Sequence, residues 1–213
     1  MKYAVLGTGD VGKSIATKLI ALGHEVKMGS RTSQHPGATE WAAAQGQSAS
    51  HGSFAEAAVF GDVLIVAVAG TSALSALKSA GSAVNGKIVI DVSNPLDFSQ
   101  GFPPSLLISN TDSLAEQLQS AFPAAKVVKT LNTTSHLVMV NPALVPGDSD
   151  VFVSGNDAAA KAQVVALLKS FGWKAPMDLG DISTARGTEM MLPIWVRLYG
   201  VLGQPIFNFK IVR

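Results

Sequence analysis

Lys2 to Leu6 form a short apolar run that reads as a β-strand, and Gly7-Thr8-Gly9-Asp10-Val11-Gly12 follows it without a linker. Ile15, Leu19, Ile20 and Leu22 then recur at helical spacing. A strand that passes through three glycines straight into a helix has few ways to fold. Gly7 permits the tight turn, Gly9 lets backbone approach a pyrophosphate, and Gly12 lets the helix pack close to the strand. The helix start offers unpaired N–H groups and a partial positive charge to phosphates. In this setting G-x-G-x-x-G predicts a dinucleotide-binding unit.

The same letters carry a second motif. Gly7 to Ser14 also satisfies G-x-x-x-x-G-K-[ST], the phosphate loop of nucleotide hydrolases, with Ile88-Val89-Ile90-Asp91 as a magnesium-binding strand. Under that reading Lys13 reaches the outer phosphates and Ser14 holds Mg²⁺. Under the dinucleotide reading Lys13 is a solvated first-turn lysine and Ser14 is structural.

The next strand separates the two. Glu25 to Met28 ends at Gly29-Ser30-Arg31-Thr32-Ser33. A dinucleotide fold reads the ribose about 20 residues after the glycine turn, where an acidic residue would favour NAD. Here stand hydroxyls and an arginine. Arg31 can fork onto a 2′-phosphate, with Ser30, Thr32 or Ser33 adding hydrogen bonds. That is the chemistry of NADP(H). Taken alone, Arg31 would read as a solvated loop arginine; its position argues for the phosphate.

A chain of 213 residues suggests one domain, or one with a small appendage. Formal net charge is +1 and charged residues make up 15%, with no basic stripe for nucleic acid. The absence of cysteine excludes disulfides and thiolate chemistry, and four scattered histidines make no zinc site. The N-terminus enters a strand at once, so no signal peptide is expected. The longest apolar run, Val63 to Ala69, is too short to span a bilayer. The expected setting is cytoplasmic, with no membrane and no nucleic-acid partner. Low charge beside 47% hydrophobic residues leaves two readings open: apolar surface covered by a partner subunit or ligand, or an alanine-rich, tightly packed domain.

Further along, helices are expected over Ala38–Ala44 and Phe54–Phe60, the latter capped by Ser53 with Glu56. Val63–Val68 and Lys87–Val92 read as strands, with Thr71–Ala80 helical between them. Ser113 with Glu116 predicts another capping box. Strands follow at Lys126–Leu131 and Asp150–Val153. Asn156-Asp157 starts a helix closed by Gly172, and Ser183 starts a last helix to about Tyr199. Arg186 and Glu189 read as an ion pair within that helix. Near-continuous β-branched strands alternating with helices predict an α/β, doubly wound, mostly parallel sheet. The expected division is a nucleotide-binding domain over residues 1–155 and a helical extension over 156–213. Asp97 to Pro104 is a long irregular connection, read equally as a flap or a surface excursion.

Ligands of open α/β sheets lie beyond the carboxyl ends of the strands. Those ends are Gly7–Gly12, Ser30-Arg31, Ala69-Gly70-Thr71, Asn94-Pro95 and Asn132-Thr133. They are small or polar, and charged only at Asp10 and Arg31. No carboxylate pair or Ser-His-Asp set converges there, and His136 is the single candidate acid or base, with a backbone-bonded histidine as the blander reading. The list suits a nucleotide across the crest with its nicotinamide near Gly70, Asn94 and Asn132. Hydride transfer to another redox ring asks little of protein acids.

Gly7-Thr8-Gly9 through Gly12, Leu22-Gly23-His24-Glu25-Val26 and Gly29-Ser30-Arg31 resemble the NADP-dependent oxidoreductases that reduce the deazaflavin coenzyme F-420. The resemblance continues through Asp91–Pro95, Lys129–Thr133 and Asp178–Gly180 to Arg186. The outline is also similar to the oxidoreductase domain of the STEAP ferric reductases, which continue into a haem-bearing membrane domain; this sequence ends at Arg213, and no haem route is expected. The resemblance implies a Rossmann domain, a short helical C-terminal part, a homodimer, and hydride exchange between NADP(H) and a deazaflavin or flavin. It implies that Thr8, Gly9, Asp10 and Val11 cradle the pyrophosphate. Ser30 and Arg31 would hold the 2′-phosphate, and Ala69, Gly70, Asn94, Pro95 and Asn132 would surround the nicotinamide. The acceptor would lie against the loop after Asn94 and near Leu202-Gly203-Gln204-Pro205. Two positions depart from the deazaflavin enzymes: Ser33-Gln34-His35 lacks their lysine, and Asn132 replaces a histidine, as in the ferric reductases. A nucleotide-sensing regulator and an NADPH-dependent ferric or small-carbonyl reductase are the competing functions.

Overall fold

The computed structural model describes residues 1–212. The chain alternates strand and helix from its start: β1 (Lys2–Leu6), α1 (Asp10–Ala21), β2 (Glu25–Ser30), α2 (Pro36–Gln45), β3 (Ala49–Ser53), α3 (Phe54–Phe60), β4 (Val63–Val66), α4 (Gly70–Ala80) and β5 (Ile88–Asp91). A hairpin of β6 (Leu96–Asp97) and β7 (Ser105–Leu106) interrupts the alternation. Then come α5 (Leu114–Ala121), β8 (Lys126–Thr130), α6 (His136–Val140), β9 (Phe152–Gly155), α7 (Ala158–Phe171), β10 (Met177–Gly180), α8 (Ala185–Met190) and α9 (Leu192–Leu202).

The main sheet has eight strands in the order β10-β9-β8-β5-β4-β1-β2-β3. All neighbours are parallel except β8 and β9, which run antiparallel. This is an α/β fold with a mostly parallel, Rossmann-like sheet. Side chains alternate across it. Tyr3 and Val5 join a core with Ile15 and Leu19 of α1 and Val164 and Leu168 of α7. Ala4 and Leu6 join the opposite core with Phe54 of α3, Leu77 of α4 and Leu118 of α5. Both faces are covered, which is why β1, β4 and β5 read as unbroken apolar runs.

Within the main sheet, the strands that the sequence hid are the two edges, β3 and β10. Their residues, Ala-Ser-His-Gly-Ser and Met-Asp-Leu-Gly, are mostly half-buried and carry no apolar pattern. Residues 156–213, expected to be a helical extension, therefore contribute a strand to the same sheet. The strand expected at Asp150–Val153 lies at Phe152–Gly155. The single long helix expected from Ser183 is instead a short turn at Ile182–Thr184 followed by α8 and α9. Pro193 sits in the first turn of α9, where a residue without an N–H starts a helix but cannot continue one.

Capping follows sequence at one site and departs at another. Ser53 Oγ accepts from Glu56 N–H while Glu56 Oε2 accepts from Ser53 N–H, a complete reciprocal box. At α5 Ser113 Oγ accepts from Glu116 N–H, but the Ser113 N–H donates to Asp112. The Glu116 carboxylate is taken by the Ser113 hydroxyl and by Arg186. Among the described residues no helix is long and apolar enough to cross a membrane.

Candidate functional site

The first turn behaves as its glycines require. Gly7 has φ +132°, and a Cβ there would lie 2.3 Å from the Ala67 carbonyl oxygen. A Cβ on Gly12 would meet the Gly7 carbonyl oxygen at 2.3 Å, so helix and turn are in backbone contact. At Gly9 a Cβ would meet nothing within 4 Å. Gly9 is also the N-cap of α1 and makes no side-chain cap. Its neighbour across the sheet repeats the device: α4 starts at Gly70 behind Ala69, again with no side-chain cap. There a Cβ on Gly70 would lie 2.0 Å from the Asn94 carbonyl oxygen. Two helix N-termini thus open side by side with their first N–H groups unclaimed by side chains, an arrangement that suits anionic oxygens.

Both open onto a cavity of about 810 Å³. Of the residues singled out in the sequence, Gly9, Asp10, Val11, Ala69, Gly70, Asn94, Asn132 and His136 line it. Gly7, Thr8 and Gly12 form the turn behind this wall, and Pro95 and Thr133 adjoin it in the chain without lining it. Ser30, Arg31, Thr32 and Ser33 stand outside the cavity, one strand over. Gly7 N–H donates to the Gly29 carbonyl at 2.9 Å, which sets the β2 turn directly beside the glycine turn. Arg31 is exposed there, and none of the ion pairs among the described residues engages it. Ser30 is buried, and its hydroxyl donates to the Thr32 carbonyl at 2.5 Å, so it tightens the turn.

Beneath the crest lies a polar knot that the sequence did not disclose. Lys129 Nζ is 2.8 Å from Asp91 Oδ2, 2.8 Å from Glu189 Oε1 and 2.6 Å from the Ser93 carbonyl oxygen. Asp91 Oδ1 also accepts from the N–H and hydroxyl of Ser93. Glu189 accepts from the N–H groups of Leu114 and Ala115 at the start of α5. Burial alone pushes the Lys129 ammonium down, yet the Asp91 and Glu189 carboxylates outweigh it and hold its pKa above the ordinary lysine value. The charges at the ends of two apolar strands, Ile88-Val89-Ile90-Asp91 and Lys126–Thr130, were the available signal. Arg186 does not pair with Glu189 as helical spacing suggested. It grips Glu116 of α5 through Nε at 2.8 Å. The Arg186 guanidinium holds the Glu116 carboxyl below its ordinary value.

Above the knot, Asn94 and Asn132 clasp each other. Asn132 Nδ2 donates to Asn94 Oδ1 at 2.9 Å and to the Thr188 carbonyl at 3.0 Å, while Asn94 Nδ2 donates to the Asn132 carbonyl at 2.9 Å. Leu131, just before, holds φ +61°, a left-handed backbone that a leucine rarely adopts. This turn carries Asn132 across to α8. The hydrolase alternative loses its parts here: Asp91 is committed to Lys129, and Ser14 Oγ is 2.9 Å from His136 Nδ1.

The wall facing the crest comes from elements far apart in sequence. Leu96, Asp97 and Phe98 of the hairpin line it, so the base of the connection from Asp97 to Pro104 borders the cavity. Trp195 and Tyr199 of α9 stack at 5.8 Å and 7°, and Phe207 stacks on Trp195 at 5.2 Å. Of the segment expected to meet an acceptor, Pro205 reaches the lining and Leu202, Gly203 and Gln204 do not. Three polar atoms of lining residues are buried without a hydrogen-bond partner: Thr134 Oγ1, Ser135 Oγ and Trp195 Nε1.

A mostly parallel sheet in this order, with a glycine turn after β1 and a crevice between β1 and β4, defines a Rossmann-type fold of the class that binds dinucleotides. Residues 2–95 match the family described as NADP oxidoreductase, coenzyme F420-dependent. The F420-dependent NADP reductase of Methanocaldococcus jannaschii is 30% identical over 210 residues, covering 93% of this chain and 92% of that protein. The chain therefore belongs to the F420-dependent NADP oxidoreductase family. Metalloreductase STEAP3 of Rattus norvegicus is 31% identical over 91% of this chain, which spans only 38% of that relative's length. Among solved structures, a candidate F420-dependent NADP reductase from Arthrobacter sp. FB24 superposes with a TM-score of 0.96 at 51% identity, each chain covered in full.

Proposed function

We propose that this oxidoreductase moves a hydride between NADP(H) and a planar redox ring of the deazaflavin or flavin type. The observation that carries the reading is one cavity that joins two uncapped helix N-termini to a wall of stacked aromatics. When bound, the dinucleotide supplies the hydride and the acceptor ring takes it up. The turn at Gly9–Val11 and the start of α4 bind the pyrophosphate through backbone N–H groups and helix dipoles. Arg31, beside that turn, pairs with the 2′-phosphate. Gly70, Asn94 and Asn132 place the nicotinamide, the two asparagines as a unit because each already holds the other. Leu96, Phe98, Trp195 and Tyr199 exclude water and present a flat apolar surface to the acceptor. His136, oriented through Nδ1 by Ser14, is the histidine on this wall and the group we assign to proton exchange.

The direct test mixes protein and NADPH with oxidised deazaflavin, flavins, aldehydes and ferric chelates, and follows the nicotinamide absorbance band. Turnover is expected with the ring acceptors. Turnover with carbonyls alone, or NADPH binding with no turnover, would overturn the proposal in favour of a carbonyl reductase or a sensor.

A further inference from the structure

Two backbone carbonyls decide which atoms of the Asn94–Asn132 clasp face the cavity. A carbonyl can only accept. The Thr188 carbonyl therefore holds the Asn132 amide nitrogen toward itself at 3.0 Å, and the Asn132 carbonyl holds the Asn94 nitrogen at 2.9 Å. With the amides so turned, the Asn132 nitrogen has spent both hydrogens, on Thr188 and on Asn94 Oδ1. One acceptor and one donor are left over. They are Asn132 Oδ1, to which none of the described residues donates, and the second N–H of Asn94. Asn132 Oδ1 is not among the fully occluded polar atoms, and both asparagines line the cavity. One acceptor with one donor is the complement of a primary carboxamide, the group that a nicotinamide ring carries.

The buried triad sets the anchors of this arrangement. Thr188 immediately precedes Glu189. The Glu189 carboxylate is fixed by Lys129 Nζ at 2.8 Å and by the N–H groups of Leu114 and Ala115 at 2.8 and 3.2 Å. On the other side, Ser93 immediately precedes Asn94 and is gripped at three atoms. Asp91 Oδ1 accepts from its N–H and its hydroxyl, and Lys129 donates to its carbonyl. Asn94 and the carbonyl that turns Asn132 thus both adjoin residues that Lys129 ties together. Neither Lys129 nor Glu189 lines the cavity, and each side chain is 1% exposed.

We infer that Glu189, with Lys129 as its anchor, is a positioning residue for the nicotinamide. It acts through the Thr188 carbonyl, which keeps Asn132 Oδ1 and the spare Asn94 N–H presented to the carboxamide. Once that carbonyl shifts, both amides are free to turn over, which exchanges donor for acceptor at the cavity. This rests on the dinucleotide half of the reading above.

Titration calorimetry would compare NADPH with 2′-phospho-ADP-ribose, which has the phosphates and lacks the nicotinamide. The ratio of the two Kd values reads the nicotinamide contribution apart from the fold. The wild type is expected to favour NADPH. Glu189→Gln keeps the side-chain volume and the Lys129–Asp91 pair, but it places an amide NH₂ where donors already converge. It should cut the preference severalfold, about the loss of one neutral hydrogen bond, by weakening NADPH alone. Asn132→Ala should do the same, and Glu189→Gln added to it should change the ratio no further, because a residue that acts through another is silent once that one is gone. If Glu189→Gln melts too low to titrate, Glu189→Asp, with its charge on a shorter stem, takes its place in the cycle. Equal losses for the two nucleotides, or additive losses in the double variant, would overturn the inference. So would a wild type that binds the two nucleotides alike. Failure of the wild type to bind NADPH would bring down the dinucleotide reading as well. Absence of turnover with every ring acceptor would overturn hydride transfer alone, because these titrations need none.

Discussion

Lys129 and Glu189 meet at 2.8 Å with side chains each 1% exposed, one from the end of a central strand and the other from the helix that leads to the cavity wall. With Asp91 they make a triad that carries one positive and two negative charges, satisfied by the Ser93 carbonyl and hydroxyl and by the N–H groups at the start of α5. This knot ties sheet, α5 and α8 at one point directly under the Asn94–Asn132 clasp. Removing the cation leaves two carboxylates buried without it, which is far more costly than losing a surface pair. Lys129→Met is expected to lower unfolding free energy by about 3–5 kcal/mol in denaturant titration. A loss below about 1 kcal/mol, the value of an exposed pair, would show that the triad is not what holds α8 to the sheet.

Gly9 and Gly70 separate binding from folding. A side chain at Gly9 projects into open space, so Gly9→Val should keep the melting temperature of the wild type and lose NADPH binding. At Gly70 a methyl group runs into the Asn94 backbone, so Gly70→Ala should destabilise the fold by about 1–3 kcal/mol and weaken binding as well. Calorimetric melting with and without NADP⁺ reads both quantities. Normal nucleotide stabilisation of Gly9→Val would place the pyrophosphate elsewhere.

Arg31 is exposed and stands one strand from the glycine turn. Arg31→Ala should weaken NADPH binding by about 1.5–3 kcal/mol, the size of a charged hydrogen bond, and leave NADH binding nearly unchanged. Equal losses for the two nucleotides in titration calorimetry would remove Arg31 from phosphate recognition.

Glu116 gives a pH signature. Arg186 depresses its folded-state pKa below that of the unfolded chain. The stabilisation is therefore complete above the unfolded value near 4.3 and is lost as pH falls through the lower folded value. Glu116→Gln should melt below the wild type at pH 7, and the gap should close under acid conditions below about pH 4. A gap of constant size from neutral to strongly acid pH would mean that the charge contributes nothing.

The fold was legible where residues act on their immediate neighbours. The Gly7–Gly12 turn, the buried runs of β1, β4 and β5, the Ser53–Glu56 box and the Gly172 stop of α7 are local: a dihedral, a period or a cap decides each one. Reading failed at the sheet edges, where the mostly half-buried residues of β3 and β10 show no apolar period. It failed again at Pro193, which sits in the first turn of α9 where the one helix expected from Ser183 divides into α8 and α9.

The site divides in the same way. Its crest half stands at strand ends, whose positions follow from strand order in a parallel sheet, and so Gly9, Gly70, Asn94 and Asn132 could be named in advance. Its other half could not. Phe98, Thr134, Trp195 and Tyr199 come from a hairpin, a turn and the terminal helix, and nothing periodic links them.

From the residue string alone came a strand, glycine turn and helix in direct succession, an arginine at the end of the next strand and a sheet buried on both faces, because turn geometry, strand ends and side-chain alternation are set within a few residues of chain. Tertiary structure alone decided that Lys129 joins Asp91 to Glu189, that Arg186 turns to Glu116, and that α9 brings Trp195 and Tyr199 to the cavity opposite the crest. Those choices depend on packing angles and register between distant segments, and burial strengthens or forbids each charge only once that packing exists.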